Sequence, residues 1–262
     1  MTDLLYVRID TTSNAILTQG ITSKDFYQGI VHQPKNLLLL NPSSGLGEFE
    51  PHTAMRVIRG EAATNHYFQL MNKSTPSDDN KWIDFNDLAM LKELSPLEIS
   101  ELLYFGHMKT HLHSPFFYKL QNNFVFFDLN DFIARTYYRY LDEFYRILSN
   151  KLTHLTLEAL NEKRGFFRKP KPVERISIET MRTLRDILRE GIAFSLKQAT
   201  QTDGSYRIPI YIVGDTRFHL SADSLKKDQW IGDLSYDTHA KNWKINIDEE
   251  QLALSSLITS FL

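Results

Sequence analysis

Near the start of the chain Leu5, Val7 and Ile9 alternate with Tyr6, Arg8 and Asp10, and this period of two predicts a strand. Residues 11–14 are a polar turn, and 15–18 return as the second arm of a hairpin. Thr22 or Ser23 is placed to cap a short helix through Asp25, Phe26 and Tyr27. The run Asn36-Leu37-Leu38-Leu39-Leu40 is too short for a helix and reads as a buried strand, followed by a loop over 41–47. Apolar spacing from 54 to 71 suits helix, divided at Gly60, and the polar segment 73–80 reads as a linker. Asp84 is expected to start a helix through Leu88 and Leu91. Ser95-Pro96-Leu97-Glu98 starts another, with a hydroxyl cap, proline at the first helical position and a glutamate closing the box.

Residues 124–127 read as a further strand. Two long helices are then predicted, 131–149 with Ile133, Tyr137, Leu141, Phe144 and Leu148 on one stripe, and 177–198 with Met181, Leu184, Leu188 and Ile192 on another. A third helix, 151–161, falls between them. Toward the C-terminus Tyr206, Ile208, Ile210 and Ile212 alternate, and Gly214-Asp215 reads as a hairpin turn into 217–220. A strand pair brackets Trp230 and 244–247, and a closing helix starts at Asp248.

Strands at both ends around a helical middle predict an α+β fold, with one mixed or antiparallel sheet built from both termini. The chain is expected to form one globular unit over 1–262. Its subregions are 1–78 (α/β), 81–200 (mainly helical) and 204–262 (β-rich with a C-terminal helix). With 42% hydrophobic residues among 262, the chain carries enough apolar side chains for a substantial core. The absence of cysteine removes disulfides, thiolate metal sites and a cysteine nucleophile. The N-terminal residues lack the pattern of a signal peptide, and no stretch reaches the ~18 apolar residues of a membrane span. A cytoplasmic protein with no membrane contact is therefore expected.

Net charge is only −2, but its distribution is uneven. Residues 131–200 hold 14 Lys and Arg against nine Asp and Glu, whereas 1–100 hold eight against 12. The basic excess centres on Lys163, Arg164, Arg168, Lys169 and Lys171, with Phe166 and Phe167 interleaved. It continues in Arg182, Arg185 and Arg189, which would share one helix face. Cations spaced along a surface with aromatics among them suit the backbone of a single-stranded nucleic acid. Against that stand Glu179, Asp186 and Glu190 on the same segment, which also read as an ordinary solvated helix face.

A second constellation is His107, His111 and His113. The first two are an i, i+4 pair that can reach one metal from a helix. Lys109 between them and the lack of a glutamate after His107 argue for a helix end instead, where imidazoles meet the negative end of the dipole. Asp128 or Asp131, just past the histidines, is an acid placed to orient one of these rings. The loop over 41–47 lacks the Lys-Ser/Thr pair of a phosphate-binding loop and reads as a surface turn.

Two functional readings follow. The preferred one is a non-enzymatic binding or regulatory protein contacting an anionic partner through 163–189: nucleic acid, a phosphorylated ligand or an acidic protein. The alternative is an enzyme, a metal-assisted hydrolase or general acid–base catalyst, around His107, His111, His113 and Asp128. No tightly held metal and no cofactor are expected, and the aromatic surface admits a homo-oligomer.

Overall fold

The computed structural model describes residues 3–10, 12–41, 45–71, 80–107, 115–129, 133–162, 171–202, 204–215 and 219–259. Their elements run β1 (Leu4–Ile9), β2 (Ala15–Gln19), α1 (Ser23–Gly29), β3 (Asn36–Leu39), β4 (Glu48–Glu50), β5 (Met55–Arg59), α2 (Glu61–Met71) and β6 (Lys81–Phe85). Then come α3 (Ala89–Lys92), α4 (Pro96–His107), β7 (Phe124–Asp128), β8 (Ile133–Tyr138), α5 (Leu141–Asn161), α6 (Ile178–Thr183) and α7 (Arg185–Glu190). The chain ends with β9 (Ile192–Ser195), β10 (Thr200–Thr202), β11 (Ser205–Ile212), β12 (Trp230–Asp237), β13 (Asn242–Ile247) and α8 (Glu249–Thr259). Two compact units emerge. Unit 1 comprises 1–9, 18–21 and 145–262, and unit 2 comprises 10–17 and 22–144.

In unit 2, β8, β7, β6, β3, β5 and β4 pair antiparallel in that order. Its strands carry apolar side chains on both faces, so alternate residues enter two different cores. Leu38, Val57, Ile83, Phe85, Val125 and Phe127 join Leu91, Leu94 and Leu102 of the α3–α4 region in one. Trp82, Phe124, Phe126 and Tyr138 point the other way and close around Phe26 of α1, with Trp82 and Phe126 stacked at 5.4 Å. Local signals hold here. Thr22 and Asp25 cap α1 reciprocally, and Ser95 and Glu98 do the same for α4.

In unit 1 the antiparallel order is β13, β12, β11, β9 and β1, with β10 pairing β11. α7 packs on β1, α6 meets β13, and α8 meets β12 and β11. The expected pairing of the strand at Trp230 with 244–247 is present as β12–β13. Asp248 caps α8 by accepting from the Gln251 N–H at 3.0 Å.

The chain is mixed α and β, but its strands are spread along its whole length rather than supplied by the termini around a helical middle. Residues expected to be helical at 133–138 are β8, because a spacing of four between Ile133 and Tyr137 fits a strand as well as a helix. The true helix starts at Leu141 and runs on to Asn161, absorbing the separate 151–161 helix. Likewise 55–59 is β5, with Gly60 at φ +82 turning the chain into α2. Asp84 lies inside β6 and starts no helix. The helix expected over 177–198 breaks at Leu184 and stops at Gly191, after which 192–195 form buried β9. Gly191 takes φ +80, and a Cβ there would lie 2.3 Å from the Gly214 carbonyl oxygen, so no other residue fits. After Gly214, residues 219–220 are irregular, and the strand that pairs β11 is β12.

Candidate functional site

The most informative surface in unit 1 is an extended strap, 171–177, laid along α5. Pro172 removes one backbone donor and biases Lys171 away from helix, so the strap must find side-chain partners. Asn161 clamps its start, accepting from the Lys171 N–H at 2.8 Å and donating to the Lys171 carbonyl at 3.1 Å. Further along, the Ser149 hydroxyl donates to the Ile176 carbonyl at 2.6 Å, and the Ile176 N–H donates to the Thr153 hydroxyl at 3.2 Å. From the sheet, the Trp243 indole N–H donates to the Glu174 carbonyl at 2.6 Å, and the Glu174 N–H donates to the Tyr236 hydroxyl at 3.2 Å. Ser177 then caps α6 by accepting from the Thr180 N–H at 3.0 Å.

This strap brings two arginines together. Arg146, Ser149 and Thr153 share one face of α5, while Leu148, Leu152 and Leu155 fill the buried side. Arg175 leans onto the same face, its Nε donating to the Ser149 hydroxyl over a long 3.4 Å. Arg146 Nε is buried and has no hydrogen-bond partner, an arrangement that costs about 1–3 kcal/mol. Arg175 is open to solvent over much of its side chain. Even so, partial burial, and then the positive charge of Arg146, pull its pKa below the ordinary arginine value. Among the described residues no carboxylate forms an ion pair with either guanidinium.

Of the basic residues singled out from the sequence, Lys163, Arg164, Arg168 and Lys169 lie outside the described residues. Lys171 is exposed at the start of the strap. Arg182 and Arg185 are exposed on α6 and α7 because Met181, Leu184 and Leu188 turn inward and are fully buried. Leu184 interrupts the two helices, so the three arginines occupy two short helices instead of one continuous face. Arg189 is half-buried and paired with Asp186 at 3.2 Å.

Of the other constellation, His107 ends α4 and its side chain is not described, while His111, His113 and Asp131 lie outside the described residues. Asp128 closes β7 and is buried; its N–H donates to the Asn80 carbonyl at 3.1 Å. Among the described residues no group of three His, Asp or Glu is arranged to hold a metal ion. Gly47, in the glycine loop, sits at φ +78 with its Cα pressed on β5: a Cβ would meet the Val57 carbonyl oxygen at 2.8 Å. Its glycine serves packing.

Sequence reasoning missed Arg146, and in unit 2 it missed a buried glutamate. Glu143 accepts from the Val31 N–H at 2.7 Å, the His32 N–H at 3.2 Å and the His32 Nδ1–H. This fixes the His32 tautomer and leaves a half-exposed ring stacked on Tyr140 at 5.3 Å. The signal available for Arg146 was its spacing to Ser149 and Thr153, which places the three polar residues on one face of the helix. Comparison of the chain with family models, curated proteins and solved structures gave no match.

Proposed function

We propose that the chain is a non-enzymatic binding protein whose unit 1 contacts an anionic partner through the strap and helices spanning 171–189. The observation that carries this reading is the disposition of charge along that span. Lys171, Arg175, Arg182 and Arg185 are all exposed, and Arg189 has an acid from its own helix beside it. Exposed cations on one stretch, held by a strap bonded at its start and end, present donors to phosphate oxygens at little ordering cost. The 163–170 segment, rich in Lys and Arg, leads directly into the strap and extends the same reading. Among the described residues nothing favours the histidine-centred enzyme over this one.

The test is fluorescence anisotropy of a labelled single-stranded oligonucleotide with the purified full chain at several salt concentrations. With about three phosphates neutralised, log affinity falls against log salt with a slope of about −2. Replacing Lys171, Arg182 and Arg185 together by Ala flattens that slope with little change in unfolding temperature, because exposed charges contribute little to folding. Absence of binding even at low salt would exclude a nucleic-acid partner.

A further inference from the structure

We propose that Arg146 and Arg175 form a two-arginine seat for a tetrahedral oxyanion, a phosphate group, beside Ser149 on α5. The inference rests on the anionic reading of unit 1 and narrows it from a diffuse basic surface to one defined contact.

Three observations converge. First, Arg146 carries a buried N–H with no acceptor, a donor that the fold itself leaves open. Buried donors in native structures are nearly always paired, so this guanidinium still lacks part of its complement. Second, the strap holds the second guanidinium over the same helix face. Arg175 Nε reaches Ser149, one turn beyond Arg146, while Ile176 is bonded to α5 through Ser149 and Thr153. Third, among the described residues neither cation has a carboxylate partner, so two like charges act on each other without an acid from the described chain to offset them. An anion removes that repulsion.

The chemistry selects the ligand. Both residues are arginine, whose planar fork of N–H donors matches the oxygens of phosphate two at a time. The Ser149 hydroxyl proton is already spent on the Ile176 carbonyl. The seat therefore offers donors from the two guanidiniums, and a group that is all acceptor suits it. A planar carboxylate uses one fork well, whereas a tetrahedral oxyanion presents oxygens to both.

Inorganic phosphate is the probe, titrated calorimetrically into the full chain at constant ionic strength, with sulfate, acetate and chloride as comparisons. Phosphate and sulfate should bind at a single site with a dissociation constant of about 1 mM or tighter, and acetate and chloride at least about tenfold more weakly. Arg175→Ala should abolish saturation, and Arg175→Lys should recover only part of it, since a point charge lacks the fork. Arg175 is largely exposed, so both variants should fold as the parent does, which far-UV circular dichroism checks. Arg146→Met is the second arm, and the Arg175 pair decides the matter should that variant unfold. Equal binding of phosphate and acetate, or phosphate binding unchanged in Arg175→Ala, would overturn the seat. If phosphate fails to saturate while the oligonucleotide still binds with its salt slope, the seat is wrong and the wider reading stands. If neither binds, both fall.

Discussion

Unit 2 and unit 1 each take charge out of water, and they settle it differently. In unit 2 three buried carboxylates, Asp84, Glu50 and Glu143, are each met by donors from the chain itself. Asp84 accepts from the Phe124 N–H at 2.6 Å, the Asn123 N–H at 2.9 Å and the Asn123 side chain at 3.3 Å. Glu50 accepts from the Thr53 N–H and hydroxyl at 2.7 and 2.8 Å and from the His52 N–H at 3.2 Å. Glu143 is met by two backbone amides and an imidazole. In unit 1 the charge is cationic and its donor is left open, at Arg146 beside Arg175. A buried carboxylate surrounded by amides pins loops together and is finished business for the fold. An arginine with an unmet N–H is a contact still lacking one side. The comparison teaches that burial of charge alone does not mark a functional site; the proposed seat is set apart by a buried donor without its complement.

The sharpest way to break this contrast is at Asp84. Asp84→Ala leaves the Asn123 and Phe124 amides without an acceptor inside unit 2. It should cost about 3 kcal/mol, read as a lower urea midpoint at unchanged m-value. The same carboxyl imposes a pH slope. Burial pushes it up to about 7 from an ordinary 3.8, against the pull of its amide donors. The fold therefore holds a proton that the unfolded chain has released between those two values. The contribution is greatest below pH 3.8 and is lost as pH rises through about 7. Asp84→Asn should lack that component; parallel stability profiles for parent and variant from pH 4 to 8 would show the carboxyl to be ordinary.

A smaller loss is expected at Glu143. Glu143→Ala strands the Val31 and His32 amides and should lower stability by about 2 kcal/mol, followed by thermal unfolding. Glu143→Gln keeps an oxygen in place and should cost roughly half as much. If the two variants behave alike, the amide bonds are not what Glu143 supplies.

The smallest effect belongs to unit 1. Arg146→Met removes a buried donor that bonds to nothing at that atom and relieves Arg175 of a like charge. Its stability should stay within about 0.5 kcal/mol of the parent or rise. A loss above about 2 kcal/mol would mean that Arg146 has a structural partner after all, and the two units would no longer differ in kind.

Much of the local structure was legible. Residues 36–40 announce a strand because four leucines in a row leave no polar side for a helix to turn to water. The Ser95–Glu98 box and the Asp248 cap announce helix starts because their bonds span only three residues. The errors fall where one spacing serves two periods. Ile133 and Tyr137 line up on a strand as on a helix, and so do residues of the 55–59 segment. The overlong helix at 177–198 failed at Gly191, whose positive φ is demanded by the Gly214 carbonyl beside it, a neighbour distant in sequence.

By itself, then, the sequence determined the caps, the buried runs and the concentration of positive charge between 131 and 200, because each depends on residues a few positions apart. The tertiary structure decided which segments became strands, since a strand is stable only beside a partner that local spacing does not name. It also decided the site. Arg175 meets Ser149 across 26 residues of chain, through a strap that Pro172 biases to extended backbone and Asn161 holds against α5. That Arg146 Nε is buried and without an acceptor is likewise a fact of the packing, which no local spacing names.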